Sequence, residues 1–161
     1  MTKLIVTQSG DRDLIVTRVF NAPRALVFKA LAEPALVQRW MLGPPGWTMP
    51  VCEIDLRPGG KFRYVWRNTA GVDMGMGGTY LEVEPPARTV HEEIFEEDWT
   101  GGRTRITTLL AEVGGITTMT MTIEYASPEG RAQALATPML DGMESGYSTL
   151  DTLLEAMSQP A

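Results

Sequence analysis

The chain has a single cysteine, Cys52, and a single histidine, His91. One cysteine cannot close an intrachain disulfide, so nothing calls for an oxidising compartment. A zinc or iron site takes three or four well-spaced ligands, and this pair is too few. Carboxylates alone can hold a hard cation, but no EF-hand pattern is present. No metal and no cofactor are expected. Basic excess is missing too: 14 Lys and Arg stand against 20 Asp and Glu, a formal charge of -6. Nucleic-acid binders carry the opposite balance, so no such partner is expected. The acidic surplus serves solubility. No apolar run reaches the ~20 residues of a membrane span, and the opening "MTKLIVTQSGDRDL" lacks the apolar core of a signal peptide. A cytoplasmic chain with no membrane insertion is the expectation.

Catalytic signatures are absent as well. There is no GxSxG elbow, no P-loop and no GxGxxG after a strand. Gly75, Gly77 and Gly78 in "DMGMGGTY" resemble a nucleotide loop only superficially. No helix follows them, so they read as a strand entry that needs close approach. His91 reads as a structural or exposed strand histidine, and Cys52 as a small buried hydrophobe. The acidic run Glu92, Glu93, Glu96, Glu97 and Asp98 reads as a solvated strand end. No catalytic residue is assigned, and a binding protein is preferred to an enzyme.

What is present is ordinary for a globular domain: 161 residues, 43% of them apolar. We read one domain over 1–161. Residues 12–20, "RDLIVTRVF", are β-branched and form a strand. "NAPRALVFKAL" follows as a helix, with Asn21 able to cap and Pro23 in the first turn. Pro34 ends it and opens a second short helix, "PALVQRW".

Six strands come next: "VCEIDL", "KFRYVWR", "MGGTYLEVE", "TVHEEIFEE", "RITTLLAEV" and "ITTMTMTIEY". Short separators built of Gly, Pro, Asn and Asp join them, which makes an antiparallel meander. Ser127 and Pro128 then start a long helix, which Pro138 should kink or interrupt. Gly142 and Gly146 permit close backbone approach within it. The fold class is α+β: a curved antiparallel sheet of about seven strands around a long C-terminal helix, with two short helices after the first strand. A curved meander around one helix leaves a gap between them.

This order resembles the helix-grip fold of START lipid-transfer domains and the birch-pollen-allergen family. The residues bring it closer to SRPBCC proteins related to activators of a heat-shock-protein ATPase. Those carry, in order, an Arg, an Ala-Pro, a Val-Phe-x-Ala helix, a Pro-opened helix and a Trp before Gly-Pro. Here the matching positions are Arg18, Ala22-Pro23, Val27 to Ala30, Pro34, Trp40 and Gly43-Pro44. "DLRPGGKFRY", "GGTYLEVEPPARTV", the hairpin at Gly114-Gly115 and "GMESGYSTLDTLL" continue the likeness over nearly the whole chain. Gly146-Tyr147 stands where similar proteins often have Gly-Trp. The resemblance implies an internal cavity for an apolar or aromatic small molecule, and no single activity.

The alternation supplies a candidate lining. Phe62, Tyr64 and Trp66 should point inward, as should Met119 and Met121. Met74 and Met76 share that alternation with Tyr80. Met139, Met143 and Tyr147 come from the helix, and Trp40 caps one end of the gap beside Met41. Trp47 or Met49 should close over it, on a loop stiffened by Pro44 and Pro45. Pockets of this kind are mostly apolar with a few orienting polar groups, here the hydroxyls of Tyr64, Tyr80 and Tyr147.

Binding of a small hydrophobic or aromatic ligand is the first functional reading. A cyclase- or hydratase-like enzyme in the same cavity is the second, with Arg18, Glu53, Arg67 and Glu82 as charged residues to inspect. A chaperone ATPase-activating partner is the third, and a contiguous exposed apolar patch would favour it. A homodimer through strand edges or the helix is compatible with the sequence.

Overall fold

The computed structural model describes residues 3–97 and 101–159. Twelve elements follow in order: β1 (Ile5–Ser9), β2 (Asp13–Phe20), α1 (Arg24–Ala32), α2 (Pro34–Trp40), β3 (Thr48–Ile54), β4 (Lys61–Arg67), β5 (Asp73–Glu84), β6 (Arg88–Phe95), β7 (Thr104–Val113), β8 (Ile116–Glu124), α3 (Pro128–Leu135) and α4 (Met139–Ser158). The strands make one antiparallel sheet in the order β1-β2-β8-β7-β6-β5-β4-β3. The meander runs consecutively from β3 to β8. The α1–α2 segment carries the chain from β2, near one edge, to β3 at the other. The result is the helix grip expected.

Two details differ from the sequence reading. The sheet has eight strands, because Ile5–Ser9 pairs with Asp13–Thr17 as a hairpin. Its residues, IVTQS, are largely polar and sit at an edge, so no buried face betrays the strand. Arg131 of α3 ties that hairpin down, donating to the carbonyls of Ser9, Gly10 and Asp13.

Asn21 does not cap α1. The cap is Pro23 with no side-chain bond, and the Arg24 amide donates to Glu112 Oε1 at 2.8 Å instead. A carboxylate from β7 thus serves the positive end of the helix. At Pro138 the C-terminal helix is interrupted between α3 and α4, as expected. The start of α3 is as expected, with Pro128 in its first turn and Ser127 Oγ accepting from the Gly130 amide at 3.0 Å.

Two glycines set how closely α4 seats. A Cβ on Gly146 would stand 3.2 Å from the Trp40 carbonyl oxygen and 3.7 Å from its ring. Gly142 lies against Gly43 and Pro44, and a Cβ there would meet ordinary 3.8 Å contacts. The helix therefore presses on the end of α2 at one glycine and only touches the loop at the other. Around this seam the main core gathers Phe20, Val27, Ala30, Trp40, Met119, Tyr147 and Leu150.

Candidate functional site

The concave face of the sheet is set by register. Thr89, His91 and Glu93 of β6 pair with Thr108, Ile106 and Thr104 of β7. Leu110, Thr108 and Ile106 pair in turn with Met119, Met121 and Ile123 of β8. Cross-strand partners share a face, so all of these look towards α4. On β5, Tyr80 pairs with His91 and Gly78 with Glu93.

A cavity of about 100 Å³ lies between this face and the helices. Trp40, Tyr64, Tyr80, Met119, Met121 and Tyr147 line it. Phe28, Leu31, Ala32, Met41, Leu56, Leu110, Thr108, Thr89, Arg88 and His91 complete the wall. Trp40 is fixed twice. Its Nε1 donates to the Ala30 carbonyl at 2.9 Å, and its ring stacks on Tyr147 at 5.6 Å and 28°. Such a pair contributes about 1 kcal/mol beyond area burial.

The other predicted lining residues lie elsewhere. Phe62 and Met76 are buried with Tyr64 and Tyr80 in a neighbouring cluster, behind the cavity wall. Trp66 meets Tyr64 edge-on and donates Nε1 to the Met41 carbonyl at 2.8 Å. Met139 accepts from the Tyr125 hydroxyl at 3.5 Å, over a separate core. Met143 packs in the seam between two cores. Met74 is a correction: it pairs with Trp66 near the start of β5 and is 38% exposed, because the helix cover does not reach that end of the sheet. Trp47 and Met49 do not close the cavity either. Met49 is buried under the neighbouring cluster, and Trp47 sits beyond the lining.

His91 departs most from its expectation. It lines the cavity, with Nε2 3.1 Å from Glu93 Oε1, and the two side chains are 18% and 12% exposed. Its ring meets Phe62 at 5.2 Å and Tyr80 at 5.9 Å, both edge-on. Glu93, assigned to a solvated run, is turned inward. Its acidic neighbours do face out: Glu92 pairs with Arg105 at 3.2 Å and Glu96 with Arg63 at 2.8 Å. Asp98 lies outside the described residues. The signal for His91 was present in the sequence as the Thr89, His91, Glu93 alternation, but two glutamates beside it disguised the inward face.

The tyrosines form the second polar element. Tyr64 and Tyr80 lie in one buried cluster and both line the cavity. Burial pushes Tyr64 well above the ordinary tyrosine value, and nearby Tyr80 adds to the rise. Burial also lifts Tyr80, to about 12. Burial drives Tyr147 upward too, and its hydroxyl donates to Met121 Sδ at 3.1 Å. Cys52, opposite Tyr64 on β3, is raised to about 11 by burial and then by Glu53. Its thiol is therefore a poor nucleophile at neutral pH.

Arg18 sits against the same helix with a different character. Its side chain is 0% exposed. Two nitrogens clasp Asp151 at 2.9 Å each, and Nε and Nη2 reach Glu144 at 3.3 and 3.4 Å. Its guanidinium carbon also lies 5.1 Å from the Phe20 ring and 5.8 Å from that of Tyr147. Burial alone would lower its pKa, but the bonds to Asp151 and Glu144 outweigh that and the net shift is upward. This is a clamp between β2 and α4. Arg67 and Glu82 are surface ion-paired residues, with Asp73 and Arg88 respectively.

A wider open groove of about 560 Å³ crosses the sheet at Gly77 and Gly78. Several of its charges are already matched, Arg63 with Glu96 and Glu92 with Arg105, and Lys61 bonds Thr79. Among the described residues, the exposed large apolar side chains do not join into one patch. Val113 and Ile116 cap the β7–β8 hairpin, while Val72 and Met74 lie by the β4–β5 turn at the opposite end of the sheet. Among the described residues no cluster of His, Cys, Asp and Glu is suited to a metal ion, and no helix is long and apolar enough to cross a membrane.

Solved structures match this architecture closely. A crystal structure of a protein from Rhodobacter sphaeroides superposes with a TM-score of 0.90 at 34% identity, covering 96% of this chain and 99% of that one. A crystal structure from Mycobacterium smegmatis gives 0.82 at 26% identity, covering 96% and 97%. One from Nitrosomonas europaea gives 0.82 at 24% identity, covering 93% and 98%, and shows the fold alone. A search of curated proteins finds no match. The profile of the family described as "Activator of Hsp90 ATPase homolog 1-like protein" matches residues 21–155, so it spans α1, α2, the meander and most of α4. The chain therefore belongs to the family of activator of Hsp90 ATPase homolog 1-like proteins.

Proposed function

We propose that the protein binds a small aromatic or otherwise apolar molecule between the sheet and α4. One observation carries this: the cavity walled by Trp40, Tyr147, Tyr64, Tyr80 and the thioethers of Met119 and Met121. Its ~100 Å³ approaches the ~150 Å³ known to accept benzene in an apolar core. A single ring therefore fits after a small widening. Methionines supply that adjustment cheaply, because their chains are unbranched and polarizable.

The test is thermal unfolding with and without toluene, paired with native mass spectrometry of gently purified protein. Binding to the folded state alone raises Tm with ligand concentration. A concentration-dependent rise that Trp40→Ala abolishes supports the cavity as the site. No rise at saturating toluene, and a bare mass after gentle purification, would sink the reading.

A cyclase- or hydratase-like enzyme in the same cavity is the second reading. The observation that favours it is the His91–Glu93 pair at the wall, a geometry suited to proton transfer.

A further inference from the structure

We propose that the cavity recognises a hydroxyl on its ligand, through His91 and Tyr80, and that its preferred occupant is a single-ring phenol. This rests on the cavity being a ligand site. The argument starts from hydrogen-bond capacity. A carboxylate only accepts, so Glu93 must receive its bond from an Nε2–H of His91. In the neutral ring, Nδ1 is then an acceptor. Nδ1 has no hydrogen-bond partner among the described residues. Every side-chain nitrogen or oxygen that is sealed from solvent there does have one. Nδ1 therefore opens onto accessible space, and the space its ring lines is the cavity.

Tyr80 supplies the complementary half. Its hydroxyl is a donor that keeps its proton at neutral pH, and its side chain lines the cavity. Tyr80 pairs directly with His91 across β5 and β6, and both line the same space. The wall thus presents one donor and one acceptor side by side. A hydroxyl is the small group that satisfies both at once: its oxygen accepts from Tyr80 while its proton goes to Nδ1. A carbonyl would leave Nδ1 unmet, and an ammonium would leave the Tyr80 proton unmet. The rest of the wall is aromatic and thioether, which suits a ring. The size limit restricts that ring to one.

The experiment compares phenol with toluene, which match in size and differ in the hydroxyl. Titrations are run on the wild type, on His91→Gln and on Tyr80→Phe, with circular dichroism to establish folding. Glutamine retains a donor for Glu93 and lacks the Nδ1 position. We expect wild-type protein to bind phenol at least tenfold more tightly than toluene, although phenol is the better hydrated of the two. Each variant should cut that ratio tenfold or more while toluene affinity moves less than threefold. A site built to bond a hydroxyl discriminates at least this strongly.

Because His91 is the only histidine, ¹⁵N spectra of its ring give a second readout that needs no variant. Phenol should move the Nδ1 resonance and toluene should leave it in place. Toluene binding with no phenol preference, or a stationary Nδ1 signal, would overturn the hydroxyl inference and leave the cavity reading standing. Failure of both probes to bind would overturn the two together.

Discussion

Arg18 and His91 both place a titratable side chain inside the grip, and they are finished differently. Around Arg18 every nitrogen is bonded, to Asp151 or to Glu144. Around His91 one nitrogen is held by Glu93 and the other is left without a partner. The first arrangement joins two elements and has nothing left to offer. The second keeps a hydrogen-bonding valence on the cavity wall. A saturated buried polar group is a fastener, whereas an incompletely satisfied one is available for recognition.

The largest expected effect breaks the fastener. Arg18→Met should cost about 3 kcal/mol in urea unfolding, the low end for a broken buried pair. Asp151 and Glu144 are 32% and 29% exposed, so water can rehydrate them when the guanidinium is gone. His91→Gln should cost less than about 1 kcal/mol, since Glu93 keeps a donor. Equal losses in the two variants would erase the distinction between clamp and recognition site.

Alkali tests the cavity side without touching the clamp. Cys52 is raised to about 11, Tyr80 and Tyr125 to about 12, and Tyr64 and Tyr147 are also raised, in every case first by burial. These groups ionise less readily folded than unfolded. Their contribution to stability is thus full below the unfolded values of 9.0 and 10.0, and is lost as pH climbs through about 11 to 12. Arg18, raised above the ordinary arginine value, stays charged over that span. Stability should be level to about pH 9 and then fall. Tyrosinate absorbance should rise together with the loss of circular dichroism, and titration near pH 10 in folded protein would contradict the burial of these rings.

The smallest effects sharpen the seam where α4 meets Trp40. Gly146→Ala gains helix propensity of about 1 kcal/mol but drives a methyl to 3.2 Å from a carbonyl that cannot retreat. Trp40 is pinned by Ala30 and Tyr147, so crowding wins and a net loss of about 1 kcal/mol is expected. Gly142→Ala meets only 3.8 Å contacts and should stabilise by about 0.5 kcal/mol. Chemical denaturation of the pair measures both. Opposite signs would show that α4 is seated by contact at Gly146 and is slack at Gly142.

The sequence by itself determined the meander, the two early helices, the break at Pro138 and the inward aromatic and methionine rows. These follow from turn residues, capping and alternation, which act over a few neighbouring positions. Period also fixes the face that Tyr64, Tyr80, Met119 and Met121 take on their strands. Which inward residues reach the cavity was decided by tertiary structure alone. Met74 falls past the helix cover, Met139 goes to Tyr125, and His91 and Glu93 turn inward together on either side of the outward Glu92. The edge strand β1 is held by Arg131 from more than a hundred residues away. Sheet curvature and the stand-off of α4 accumulate over many residues and across distant contacts, so no local pattern reports them.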